Sequence, residues 1–167
     1  DGLREPANLT FDGNGRMYIA ELRTYMQDID GKNEHDPIGV VSRHESTKRD
    51  GKFDKHVLFR DKMLLPRMVL PLDDRVLINE TDTLDIFVYR DTNGDGIADT
   101  KEPWFVGGPK GGNLEHQQSG LIWTMDNWMY QTYNSYRLRW NGAKEPLKES
   151  IPSGGGQWGL AQDDLGK

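Results

Sequence analysis

The 167 residues contain no cysteine, so neither a disulfide framework nor covalent haem attachment is encoded in this stretch. That absence does not identify a compartment. Basic residues are in deficit, 21 against 27 acids, for a formal net charge of −6 and a pI near 5.2. A phosphate-backbone binder normally shows a basic stripe, so nucleic acid is not an expected partner. No apolar run approaches the roughly 18 residues of a membrane span, and Asp1-Gly2-Leu3-Arg4 lacks the character of a signal peptide. The glycines among residues 106–112 form no phosphate loop, because no G-K-[ST] follows at the required spacing. What is abundant is turn chemistry: the apolar share, 35%, comes near the usual globular level only when the 19 glycines are added.

The chain is organised around residues 113–130. There Leu121-Ile122-Trp123-Thr124-Met125 reads as a strand, Asp126-Asn127 as a turn pair, and Trp128-Met129-Tyr130 as the returning strand. Residues 8–20 and 69–79 repeat the unit, and a further copy begins at Trp158 and stops at Lys167. The turn aspartates Asp12, Asp73, Asp126 and Asp163 recur with a loose period of about 40 to 60 residues, which is the signature of propeller blades. The expected fold is therefore all-β, a β-propeller with about three blades and the start of a fourth. Propellers usually close at least four blades, so residues 1–167 are expected to be one partial domain of a longer polypeptide.

Between the repeats lie three features. Residues 22–46 form a long polar insertion containing Tyr25, Asp28, Asp30, His35 and His44, expected on the propeller face over the central channel. Residues 55–59, 83–90 and 133–140 read as strands, the last placing Arg137 and Arg139 on one face. Residues 91–102 satisfy the calcium-loop pattern in full, with Asp91, Asn93, Asp95 and Glu102 as side-chain donors and the Ile97 carbonyl as a backbone donor. Gly96 permits the bend. The helices of an EF-hand are missing, so the reading is an isolated calcium loop inside a blade, with Asp99 replacing Glu102 should Glu102 be out of reach. The competing reading is an Asp/Gly-rich turn without metal. Residues 46–54 keep the D-G-x-x-D half of the motif but set Lys48 and Arg49 in ligand positions, so no second ion is expected there.

His116 sits in a polar run at what reads as the start of a strand, and a histidine there can take a proton from a substrate hydroxyl at neutral pH. From residue type alone such a histidine is more often structural. The run Glu115-His116-Gln117-Gln118-Ser119-Gly120-Leu121, followed by Asp126 and Tyr130, resembles the segment holding the catalytic histidine of soluble quinoprotein glucose dehydrogenases and sorbosone-type dehydrogenases. Those are six-bladed propellers, and several bind pyrroloquinoline quinone and calcium. The runs RMYIAELRTYMQDIDG, DTNGDGIAD, GGNLEHQQSGLIW and GGGQWGL are similar to the propeller of large exported bacterial proteins named as membrane-bound dehydrogenases, many fused to a c-type cytochrome.

The resemblance implies a piece of a six-bladed ring that oxidises a sugar or alcohol hydroxyl, with His116 as the base. It implies pyrroloquinoline quinone as hydride acceptor, its carboxylates held by side chains among Arg67, Lys110, Asn113, Gln117 and Arg137, with Arg67, Gln117 and Arg137 taken as the candidates. It also implies a c-type cytochrome domain or subunit as partner and an exported, periplasmic or extracellular setting, any membrane association coming through a partner. Calcium in the 91–102 loop is expected to be structural. Two other readings stay open: a non-catalytic, calcium-stabilised propeller serving as a binding or scaffold subunit of an envelope complex, and a hydrolase or lactonase. The last needs a channel calcium to activate water, with acids such as Glu21, Asp28 or Glu80 converging on the axis.

Overall fold

Strand-forming runs separated by aspartate turns give meanders, and three of them fold here. The computed structural model describes residues 2–152 and 156–166. The first sheet comprises β1 (Pro6–Phe11), β2 (Met17–Glu21), β3 (Gly39–Glu45) and β4 (Lys55–Met63). The second comprises β5 (Met68–Leu72), β6 (Arg75–Asn79), β7 (Ile86–Arg90) and β8 (Thr100–Phe105). The third comprises β9 (Ile122–Trp123), β10 (Met129–Tyr130), β11 (Tyr136–Arg139) and β12 (Leu147–Ser150). In each sheet the spatial order is the chain order and all pairing is antiparallel. That is the construction of a propeller blade. The Asn8 side chain accepts a hydrogen bond from the Val69 amide at 3.1 Å, joining β1 to β5, the first strands of the first two sheets.

In the middle sheet β5, β6 and β7 are mostly buried and mostly apolar, whereas β8 begins with the polar run Thr100-Lys101-Glu102. Along β6, Val76 and Ile78 face the first sheet, where they pack with Tyr18, Val41, Phe59 and Tyr89. Leu77 faces the third, among Met68, Ile86, Trp104, Leu121 and Leu138. Period-2 alternation thus serves two cores at once.

The repeated aspartates work locally. Asp12 accepts the Asn14 and Arg16 amides, each at 2.9 Å, and Asp126 accepts the Trp128 amide at 3.1 Å. Asp73 adopts a left-handed backbone, φ 49°, in the two-residue turn between β5 and β6.

Several boundaries differ from the sequence reading. The 22–46 insertion ends early, because Gly39–Glu45 is a strand; it was masked by Ser42, Arg43 and His44, polar residues that are all buried. The strand expected from Thr83 starts at Ile86, since Asn79 Nδ2 donates to the Thr83 and Asp85 carbonyls at 2.9 Å and holds 83–85 in a turn. His116 does not open a strand but ends a short 3₁₀ helix, Leu114–His116. β12 was not anticipated, because all four of its residues are exposed and show no apolar alternation. The copy begun at Trp158 forms no strand among its described residues, and residues 153–155 of the turn before it lie outside them. Among the described residues no helix is long and apolar enough to cross a membrane, which says nothing about strands.

Candidate functional site

The meanders sort their loops onto two rims. One rim carries the connections between second and third strands and those between sheets: residues 22–38, 64–67, 80–85, 106–121 and 131–135. The other carries the hairpin turns, 12–16, 46–54, 73–74, 91–99, 124–128 and 140–146.

On the first rim the segment 114–120 is held from several sides. Asn113 Oδ1 caps the 3₁₀ turn by accepting the Glu115 amide at 2.8 Å. Gln117, fully buried, makes a reciprocal pair with Asp82, accepting its amide and donating to its carboxylate, both at 2.7 Å. Gln118 donates to the Thr83 carbonyl at 2.6 Å. Ser119 receives the Thr132 amide on its carbonyl at 3.0 Å and donates its own amide to Thr132 Oγ1 at 2.9 Å. Gly120 takes φ 63°, and a Cβ there would lie 2.6 Å from the Gly159 Cα.

Arg67 brackets this segment at both ends. Its guanidinium donates to the Leu114 carbonyl through Nη2 and to Thr81 Oγ1 through Nε at 2.6 Å. Its main-chain carbonyl accepts Ser119 Oγ at 3.1 Å and the Gly120 amide at 3.4 Å. The side chain is fully buried, and Nη1 has no hydrogen-bond partner among the described residues. Burial pulls its pKa down to about 10, with no carboxylate in direct contact to restore it, so the group stays cationic at neutral pH. The Trp158 ring lies 4.5 Å from its carbon centre, and Tyr25 packs on Trp158 at 5.7 Å. Tyr25 also donates to Glu115 at 3.0 Å; burial, then that hydrogen bond, pushes its pKa up to about 12.

With its neighbours turned inward, His116 is left exposed, its ring tilted against Tyr133 at 5.9 Å. His35 pairs with Asp82 at 3.2 Å on the same rim. Of the residues singled out from sequence, His116, Gln117 and Arg67 thus come together. Arg137 does not: it stands on β11 bonded to Asp126 at 3.0 Å, Tyr130 at 2.7 Å and Glu149 at 2.6 Å. Glu21, Asp28 and Glu80 do not converge either. Glu21 is taken by Ser42, Arg4 and Arg23, Glu80 by the Leu64 amide, and Asp28 by the Asp30 amide. Thr81, Asp82 and Thr132 have no place in the sequence reading, which names Tyr25 only within the 22–46 insertion and Trp158 only as the start of a repeat; the polar run Asn79-Glu80-Thr81-Asp82-Thr83 directly after an apolar strand is the signal for the first two.

The 91–99 hairpin belongs to the opposite rim. Asp91 accepts the Gly94 and Gly96 amides at 2.7 and 2.8 Å and faces the buried Arg43 guanidinium at 3.5 Å. Asn93 and Asp95 accept the amides two residues on, and Asp99 accepts the Thr92 amide and hydroxyl at 3.0 and 2.7 Å. Glu102 lies in β8 beyond the hairpin, bonded to Arg90 at 3.2 Å. Among the described residues no three His, Cys, Asp or Glu side chains already converge as metal ligands. The 46–54 hairpin has the same closure, Thr47 amide and hydroxyl to Asp54 at 2.8 and 2.7 Å.

Residues 1–167 match a family described as a domain of unknown function, DUF7133. No curated protein matches the chain. A solved structure of a gluconolactonase from Xanthomonas campestris is similar with a TM-score of 0.64 at 14% identity. The match covers 98% of this chain and 52% of that one, so the chain spans about half the length of the structure it resembles. At that identity the likeness establishes the fold, which is β-propeller-like.

Proposed function

The chain belongs to the family described as a domain of unknown function, DUF7133, and from that premise we propose that the His116 rim binds a small sugar or alcohol and takes the proton of its hydroxyl group. The observation that carries the reading is the bracketing of 114–120 by Arg67, with Gln117, Gln118 and Ser119 bonded inward and His116 alone at the surface. Burying polar groups is costly unless they are hydrogen-bonded, and these bonds turn Gln117, Gln118 and Ser119 inward while leaving the His116 imidazole at the surface as a proton acceptor. A sugar-derived substrate is also what the name of the solved gluconolactonase states.

Proton removal is half of a hydroxyl oxidation, and pyrroloquinoline quinone supplies the hydride acceptor when bound. Of the side chains proposed for its carboxylates, Arg67 keeps an unbonded N–H, whereas both ends of the Gln117 amide are spent on Asp82 and Arg137 is engaged on β11. Arg67 is therefore retained for that role. A c-type cytochrome partner and an exported, periplasmic or extracellular setting belong to the same proposal and are supported by the resemblance of residues 16–31, 91–99, 111–123 and 154–160.

Calcium is proposed for the 91–99 hairpin through Asp91, Asn93, Asp95, the Ile97 carbonyl and Asp99, leaving Glu102 to Arg90. Each accepting oxygen keeps a second lone pair, so the present bonds to backbone N–H groups leave room for a cation. Melting with CaCl₂ against EDTA should show a higher midpoint with calcium, lost in Asp95→Ala; equal midpoints in the unaltered protein would remove the ion.

The inward bonding of Gln117, Gln118 and Ser119 also favours a second reading, a non-catalytic propeller in a larger assembly. The two separate on one assay: the native protein with glucose, other aldoses and short alcohols, a dye acceptor, added pyrroloquinoline quinone and CaCl₂, and gluconolactone in parallel. Dye reduction that falls at least about 100-fold in His116→Ala supports the proposal. Silence on every substrate, with copurification in a larger complex, leaves the scaffold; lactone hydrolysis without dye reduction reassigns the rim to water attack.

A further inference from the structure

The rim opposite His116 carries a cleft of about 350 Å³ between the second and third sheets, with Leu72 and Met129 as its floor and Trp123, Trp140, Asp73 and Asn127 around it. That size is at the lower end for small-molecule sites, roughly 300–1,000 Å³. Its two indoles are fixed. Trp123 is 52% exposed, an unusual position for so large an apolar group, yet its Nε1 donates to Asn127 Oδ1 at 2.9 Å. Trp140 stacks on the buried Trp104 at 5.6 Å and 15°, with the Arg75 guanidinium 4.6 Å from its ring centre. Beside them, Asp73 makes no side-chain hydrogen bond or ion pair among the described residues, and the Asn127 NH₂ is likewise unspent.

We infer that this cleft is a binding site for a neutral saccharide. A pyranose has an apolar C–H face and a rim of hydroxyls, and the cleft has the complement: the exposed, hydrogen-bonded Trp123 indole with the fixed Trp140 beside it and an apolar floor, together with an unpaired carboxylate and an amide. A purely aliphatic ligand would strip water from Asp73 without replacing it. Arg75 also lines the cleft but is ion-paired with Asp74 at 2.5 Å, so an anion would meet the unpaired Asp73 carboxylate without a free counter-charge. The stacking surface is preorganised, so little side-chain entropy is lost on binding. The site lies across the propeller from His116 and stands without any assumption about that residue.

The test uses the native protein and its variants, titrated with cellobiose, maltose and methyl glucoside, read by tryptophan fluorescence and calorimetry. At least one of these should give saturable binding with a tryptophan signal. Trp123→Ala should weaken it at least about tenfold, Asp73→Asn should weaken it too, and Trp123→Phe should retain most of it. Trp123 is exposed, so its variants should melt with the native protein, and binding should persist in His116→Ala. No saturable binding by any of the three sugars overturns the inference. So does binding that survives Trp123→Ala, or a cleft that takes an apolar dye while ignoring all three.

Discussion

The two rims of the same three sheets are held by different physics. On the hairpin rim, aspartates bond to amides a few residues away: Asp12 to Asn14 and Arg16, Asp54 to Thr47, Asp99 to Thr92. On the His116 rim, buried side chains bond across long stretches of chain, 47 residues from Arg67 to Leu114 and 35 from Gln117 to Asp82. Local turn chemistry needs only partners a few residues apart. A long-range polar network exists only after the blades have packed, and its loss is felt by several segments at once.

The largest break in that comparison comes from Arg67. Arg67→Ala leaves the Leu114 carbonyl without its Arg67 donor, reduces Thr81 Oγ1 to its bond to the Leu65 carbonyl and opens a cavity, which should cost on the order of 3–5 kcal/mol, measured by denaturant unfolding. Arg67→Met, which keeps the volume, should recover part of that loss. Next is a pair of glycines. Gly120→Ala puts a Cβ at φ 63° and 2.6 Å from Gly159, for about 2–4 kcal/mol. Gly13 on the hairpin rim has open space around it, and Gly13→Ala should stay within about 0.5 kcal/mol. Equal losses at the two would erase the distinction between the rims.

Gln117→Ala strands the Asp82 amide and leaves its carboxylate only the His35 contact, and should cost about 1–3 kcal/mol. The smallest effect is pH-dependent. Asp54 and Asp99 are held below the usual carboxylate value by the Thr47 and Thr92 side-chain hydrogen bonds. A depressed folded pKa means stability that is present above the ordinary value, near 3.8, and lost as pH falls through the depressed one. NMR titration of the Thr47 and Thr92 amides should therefore give midpoints below 3.8, while the Ser119 and Gly120 amides stay unmoved.

The same contrast decides what could be read from the chain. The hairpins at 8–20 and 69–79 were legible because a turn aspartate and period-2 alternation sit side by side. β3 was not, since Ser42, Arg43 and His44 break its apolar pattern while being buried by neighbouring strands. The likeness of the 46–54 and 91–99 hairpins was legible too, and both close by the same Thr–Asp bond. His116 and Gln117 were chosen by a sequence run, and Arg67 only by residue type. That Arg67 clamps both ends of the His116 segment depends on partners remote in sequence, so no local pattern carried it, whereas Arg137, equally plausible by type, is engaged by Asp126 and Glu149.

Amide hydrogen exchange, resolved by residue, tests the central contrast most directly. The Asp82, Ser119 and Thr132 amides, bonded to Gln117, to Thr132 Oγ1 and to the Ser119 carbonyl, should exchange only through near-global opening. Those of Gly94 and Ile97, bonded to Asp91 and Asp95, should open locally and exchange far faster. Fast, local exchange at Ser119 and Thr132 would contradict a rigid rim built to present His116.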